Sequence, residues 1–348
     1  MLSKKIAEGT GYITLMNVMH MGISFIFYIS ISRILLPAEI GQVSLLFLST
    51  GVFNTLTLIA LNSSVTKYVS EYIGMNKTNI ASKAFRKALY ALTMISLPSL
   101  AISMIMAHVI ASMANIDSWL LLTAFMTAFI LDYTNIIGGA LFGLTLFDKV
   151  SAQNIIFYLM SRIPALVLAI KLGVQGVALG LVIGALVCLV YSIRALKGKL
   201  SFPMGDFPMK SLFGYGLPLY ASSIIVLAQG WIDLIVLYAL SSSLSVIGIY
   251  YLIVSSTSIL SILWVPLTST LFPTMSLRRA ELGEEGVKNM LEISTRIIFM
   301  IVTPLSLALA VVSKTALTLV YGASFVEGSI AFSILASTVI IAALSSLY

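Results

Sequence analysis

The sequence predicts an all-α polytopic membrane protein made of two pseudo-symmetric six-helix bundles, the second incomplete, with about ten spans in total. Three observations carry this. Of 348 residues, 59% are hydrophobic and 9% charged, whereas a soluble chain carries about a quarter of its residues as charges. The apolar residues fall in runs of about 20, the length that crosses a bilayer as a helix. Gly and Pro landmarks then recur at one offset: Gly41 and Gly248 lie 207 residues apart, Pro98 and Pro304 lie 206 apart.

Taken in order, the first run, 11–32, follows Lys4 and Lys5 and has no small-residue cleavage site, so it reads as a retained helix rather than a signal peptide. The second, 40–65, carries Asn54 and Asn62. The third, 88–111, contains Pro98, and the fourth, 119–141, contains Asp132. The fifth, 152–170, holds Arg162 two residues before Pro164. The sixth, 174–193, holds Cys188, the single cysteine, which excludes a disulfide or a cysteine-based metal site within one chain. Pro203, Gly205 and Pro208 mark a linker at 202–211, dividing a first bundle, 1–201, from a second, 212–348. The seventh run, 213–240, carries Gln229 and Asp233. The eighth, 246–271, ninth, 293–312, and tenth, 329–347, complete the set. With six spans before the linker and four after it, and an apolar end at Tyr348, the second bundle is expected to be truncated. Barrel strands are about ten residues of alternating polarity, so a β-barrel is excluded.

Charge sets the expected orientation. With the N-terminus in the cytoplasm, 16 Lys and Arg lie on the inner side, and only Arg33, Lys171 and Lys314 on the outer, with Arg162 mid-span. The positive-inside rule therefore places the N-terminus and the linker in the cytoplasm of a multi-pass cell-membrane protein. The same residues account for a net charge of +7 without nucleic acid. Both halves start on the same side, so an axis along the membrane normal relates them.

The stretches Gly214-Tyr-Gly-Leu-Pro-Leu-Tyr, Trp231-Ile-Asp-Leu-Ile-Val-Leu, Val246-Ile-Gly-Ile-Tyr, Leu271-Phe-Pro-Thr-Met-Ser and Leu319-Val-Tyr-Gly-Ala-Ser-Phe occur in that order. Ser32-Arg-Ile-Leu-Leu-Pro-Ala-Glu-Ile-Gly and Val65-Thr-Lys-Tyr-Val-Ser-Glu-Tyr precede them. Each is mostly apolar and weak alone. As an ordered set the chain resembles the polysaccharide and oligosaccharide-lipid flippases of the MOP (multidrug/oligosaccharidyl-lipid/polysaccharide) exporter superfamily, over nearly its whole length. The resemblance implies a MATE-like pair of bundles facing a central cavity, alternating access, and a substrate with a glycan on a polyprenyl-phosphate lipid. It also implies twelve to fourteen spans, two or more beyond those present.

Ionisable residues within spans need a partner or a role, since a centred charge costs about 2.5–3.5 kcal/mol by conservative scales. Arg162 and Asp132 are read either as a buried ion pair or as a cavity-facing guanidinium that holds a lipid phosphate. Asp233 lies one turn from Gln229 on the same helix face. It is read as a sugar or cation-coupling carboxylate, at the acidic position that the resemblance implies, or as a packing hydrogen bond. Asn17 and His20 share a face, as do Asn54 and Asn62. Each is read as a sugar contact or as interhelical glue worth about 0.6 kcal/mol. His108 reads as interfacial. Arg33 closes the first span on the outside, either snorkelling or forming a cationic rim. Most tyrosines are expected to be interface anchors, with Tyr250 and Tyr251 deeper and placed for sugar stacking.

No His-Glu-x-x-His, Gly-x-Ser-x-Gly or Walker pattern is present, so neither an enzyme nor an ATP-driven pump is expected. No cofactor or metal is implied. The expected partners are a lipid-linked glycan, membrane lipids and a coupling cation, H+ or Na+, and the chain is expected to be a monomer. Two other functions compete. A cation-coupled drug exporter would want cavity carboxylates. A membrane glycan polymerase or ligase would want a large outer loop, and none exceeds about fifteen residues.

Overall fold

A computed structural model of the chain describes residues 2–114, 116–201, 203, 205–240 and 243–347, with side chains described for these except 2–8, 114, 259, 262–263, 266–267, 269–270 and 272–282. Expectations for Lys4, Lys5, Arg278, Arg279, Phe202, Met204 and most of the Leu271–Ser276 motif therefore lie outside the described residues.

The described residues form twelve α-helices and no strand. Helix α1 (Leu2–Ile34) and α2 (Pro37–Leu58) meet in a tight turn. Pro37 opens α2 because the first turn needs no N–H partner, and the Glu39 carboxylate accepts the Leu36 N–H at 2.7 Å. The face carrying this turn is called upper here, the opposite face lower.

The expected second span, 40–65, is not one helix. Helix α2 stops at Leu58, and Ile59 and Ala60 both take left-handed φ, 44° and 53°, before α3 (Leu61–Gly74). The break aims α3 at the start of the second half, where Ser64 Oγ donates to the Leu212 carbonyl at 2.8 Å.

Four long helices follow: α4 (Thr78–Ala114), α5 (Ser118–Gly143), α6 (Phe147–Leu172) and α7 (Val174–Leu196). Asp117 caps α5 by accepting the Trp119 N–H at 3.0 Å, as an N-cap carboxylate does. Gly173 alone joins α6 to α7, with φ 56°. The two helices then pack through a ridge of Gly176, Gly180 and Gly184. A Cβ at any of these would collide with Leu168–Ala169, Ala165 or Ser161 on α6. Small residues four apart let membrane helices approach backbone to backbone.

The second half comprises α8 (Met209–Leu240), α9 (Leu244–Ile259), a 3-10 turn (Leu260–Leu263), α10 (Val265–Val311), α11 (Ser313–Val320) and α12 (Ser329–Ser345). The expected eighth span, 246–271, is thus corrected. It divides into α9, the turn and the start of α10, whose first turn holds a proline. Helix α10 itself breaks at Gly283, φ 66°. Among the described residues, nine helices are long and apolar enough to cross a membrane, and α9 is a shorter apolar helix. Ile105, Val167, Ile170 and Ile225 are each more than half exposed, as side chains facing hydrocarbon are. The chain is a multi-pass membrane protein.

Towards the upper face the halves share one apolar core, in which Ile31 and Ile40 join Ile247, Leu252 and Phe325. Its centre is the crossing of α2 and α9. A Cβ on Gly41 would strike the Leu244 carbonyl, and a Cβ on Gly248 would strike the Pro37 carbonyl. Leu244 is to Pro37 what Gly248 is to Gly41 in the repeat, so the contact is self-complementary about a local two-fold. Nearby, Tyr238 OH donates to the Gly41 carbonyl at 2.6 Å.

Candidate functional site

Below that seal lies a hollow of about 420 Å³ between the halves. Helix α1 contributes His20, Ser24 and Tyr28; α6 contributes Arg162; α8 and α9 supply Trp231 and Tyr251. Tyr28 and Tyr251 roof it, their hydroxyls 2.9 Å apart. Ser255, Ser258 and Ser261 run down one wall towards the lower face.

Arg162 dominates the electrostatics. It is 8% exposed, and its guanidinium carbon sits 4.4 Å from the ring centroids of both Phe27 and Phe47. Such a double cation–π contact offsets part of the desolvation of a buried cation. Its Nε and Nη1 have no hydrogen-bond partner among the described residues. A guanidinium has five donors in a rigid fork, so the side chain is held in place while its donors stay unmet.

The alternative of an Arg162–Asp132 ion pair is not what forms. Asp132 is fully buried between α2 and α5, where Oδ1 accepts from Asn54 Nδ2 at 2.6 Å and Oδ2 from Thr57 Oγ1 at 2.7 Å. Asn54 also donates to the Ala128 carbonyl at 2.8 Å. Both carboxylate oxygens are therefore satisfied by neutral donors on another helix. Asn54 and Asp132 tie α2 to α5 and do not line the hollow.

The other expected residues divide in the same way. His20 lines the hollow and stacks on Tyr158, centroids 3.9 Å apart. Asn17 is half-buried and outside the lining. Asp233 accepts the Tyr250 hydroxyl at 2.8 Å and the Leu234 N–H at 2.8 Å, so this carboxylate and Tyr250 engage each other. Gln229 is exposed one turn away. Arg33 donates to the Leu319 and Val320 carbonyls, at 2.5 and 3.1 Å, closing the end of α11. It is an exposed clasp between the halves. His108 is exposed.

Sequence reasoning missed Phe27 and Phe47. Only their spacing from Arg162 in three dimensions makes them cation holders. Trp231 was legible only as part of a motif; in the fold it stacks on Tyr251, with centroids 6.4 Å apart. A larger hollow of about 870 Å³ runs along α10 from Glu284 to Met300. One helix alone lines it, so nothing converges there. Among the described residues no cluster of His, Cys, Asp and Glu could hold a metal.

The fold belongs to a known class. Over 95% of this chain and 82% of the other, it matches an inward-facing multidrug resistance MATE family transporter of the MOP superfamily, with TM-score 0.65 and 15% identity. A mutant of the Vibrio cholerae MATE transporter VcmN matches at TM-score 0.57 and 12% identity, over 99% and 84% of the two chains. A MOP superfamily transporter from Pyrococcus furiosus, described by a reversed polarity of its binding pocket, matches at TM-score 0.54 and 13% identity, over 98% and 85%. These likenesses define a membrane transporter fold. The sequence pattern of the family described as polysaccharide biosynthesis protein matches residues 6–277, and the chain belongs to that family. No functionally curated protein matches it closely enough to count as a relative.

Proposed function

We propose that this protein is a flippase that moves a polyprenyl-phosphate-linked oligosaccharide across the cell membrane by alternating access, for surface polysaccharide synthesis. One observation carries the reading: a buried guanidinium, clamped between two rings with two nitrogens unpartnered, faces a hollow between the halves. A guanidinium fork matches phosphate oxygens in charge and geometry. Around it, Trp231 offers a half-buried ring and the serines offer hydroxyls, which suit a sugar next to a phosphate. A drug exporter for cations is disfavoured, because among the described residues no carboxylate lines the hollow. The Pyrococcus furiosus transporter of similar fold, whose reversed pocket polarity is described as suggesting a different function, supports the view that members of this fold differ in what they carry.

In this reading the lower face is cytoplasmic, the lower hollow is the loading site, and the shared upper core is the closed outer seal. Driving energy comes from a coupling cation, H+ or Na+, or from consumption of the product outside. The protein acts as a monomer and performs no chemistry on its substrate.

The test is Arg162→Gln, assayed by which leaflet holds the lipid-linked glycan at matched protein level. The expected result is an inserted, abundant protein that does not flip. Arg162→Lys should retain part of the activity, since a point charge still attracts phosphate without the bidentate fork. Normal flipping by well-expressed Arg162→Gln would overturn the phosphate role.

A further inference from the structure

A second hollow, of about 350 Å³, lies wholly within the first half, among the first turns of α3 and the lower halves of α5, α6 and α7. Its chemistry differs from that of the Arg162 site. Four side-chain amides face it: Asn62, Asn135, Gln153 and Asn154, together with the Thr66 hydroxyl and the ring of Phe157. Among the described residues no charged side chain lines it.

Gln153 is the informative member. It is 4% exposed, and its Nε2 donates to the Thr134 carbonyl at 2.8 Å. Its Oε1 has no hydrogen-bond partner among the described residues. Gly138 leaves the space beside that buried oxygen open, because a Cβ there would lie 3.0 Å from it. The Asn154 amide spends one donor on the Val150 carbonyl at 2.9 Å. The Asn62 and Asn135 side chains make no hydrogen bond to described residues. Leaving the buried Gln153 Oε1 without a partner costs about 1–3 kcal/mol by mutational measures, whereas Asn62 and Asn154 are half-buried and Asn135 is exposed, with polar atoms free to meet an incoming molecule. The unpaired Gln153 oxygen, with three further amides lining the same hollow, suits a ligand or water that both gives and takes hydrogen bonds.

The two hollows are neighbours. Tyr158 lines the second, and its ring stacks at 3.9 Å on His20, which lines the first. One extended molecule reaching past that stacked pair would meet a cation on one side and neutral amides on the other.

We propose that the second hollow is a subsite for neutral sugar residues, binding the hydroxyl-rich part of the substrate while its phosphate end lies at Arg162. This deepens the flippase reading and rests on it. Amide groups pair with sugar hydroxyls in both senses, as donors and as acceptors, and Phe157 supplies an apolar face for a sugar ring. The absence of charge from the lining selects against anionic sugars at this position.

The test uses the full chain with Cys188→Ser and Asn135→Cys, purified in detergent and labelled with a small, water-soluble methanethiosulfonate. Two probes are added: the lipid-linked glycan fraction extracted from native membranes, and a polyprenyl phosphate with no sugar. The subsite predicts that the glycan fraction slows labelling at position 135 at least fivefold and that polyprenyl phosphate leaves it unchanged. Equal labelling with and without the glycan fraction overturns the subsite. Protection by polyprenyl phosphate alone also overturns it, since the hollow then takes lipid or phosphate. Absence of labelling in the free protein shows a hollow closed to water and overturns it too. The same assay with Arg162→Gln added separates the two readings. Protection that survives this change keeps the sugar subsite and removes the phosphate role; protection lost only there supports both. A paired variant, Asn154→Leu, should lower affinity for the glycan fraction about tenfold and leave polyprenyl phosphate binding as it was.

Discussion

Arg162 and Asp132 lie in neighbouring spans and carry opposite charges, yet each is stabilised separately. The rings of Phe27 and Phe47 hold one, and the amide of Asn54 with the hydroxyl of Thr57 holds the other. Exchanging them, with Arg162→Asp and Asp132→Arg together, should therefore abolish stable insertion, where a true ion pair would tolerate the swap. Detergent-extracted yield and size-exclusion behaviour measure this. Asn54→Ala should destabilise the protein by about 1–3 kcal/mol, because it strips one donor from a buried carboxylate; thermal unfolding in micelles reads it. The residue types of this site were legible in the sequence, since charges and amides stand out in apolar runs. Their partners were not. A helix face can be inferred from spacing, but which neighbouring helix meets it depends on packing that one sequence does not state.

At the scale of elements, the crossings are set by glycine. Gly180 sits against the backbone of Ala165, so Gly180→Leu should separate α6 from α7 at a cost of about 1–3 kcal/mol or more, seen as lower thermal stability with normal insertion. Gly41→Val should wedge the α2–α9 crossing apart. The expected outcome is faster labelling, from the upper face, of a cysteine placed at Ser255. The repeat landmark Gly41/Gly248 was legible, and the fold gives it a use, because the paired glycines touch. The Gly176, Gly180 and Gly184 ridge was equally present in the sequence, but a reading by length and hydropathy passes over it. Two breaks had no such mark. Ile59 and Ala60 are neither Gly nor Pro, so nothing local announced left-handed backbone there. The apolar run at 246–271 gave no compositional sign of the turn at 260–263 either; only the proline that opens α10 hinted at it.

At the scale of the whole molecule, the connection between the halves is fastened to the lower end of α4. Arg86 donates to the Pro203 and Gly205 carbonyls at 2.7 and 2.9 Å, and Lys87 pairs with Asp206 at 2.7 Å. The Lys87 hydrogen bond holds the Asp206 carboxyl below the usual carboxylate range. A depressed pKa contributes stability above the ordinary range and loses it as pH falls through the shifted value. The fastening should therefore persist at neutral pH and release only in acid below that range. Protease cleavage at 203–208, followed against pH, checks this, and Asp206→Asn should remove the acid-dependent part. If the lower face is cytoplasmic, a cysteine at position 205 should react in opened cells and stay unlabelled by an impermeant reagent in intact ones.

The α2–α9 crossing has a genealogical consequence. A contact that maps onto itself by a two-fold rotation is the kind a symmetric homodimer makes. A half-length chain that paired with its own copy through this helix would need one glycine to seat both sides. Once two copies are joined in one gene, the same closure needs two, at 41 and 248. The flanking positions are then free to diverge, and the equivalent residues Pro37 and Leu244 differ. The crossing point is not free, because each glycine there faces main chain and not a side chain that could retreat.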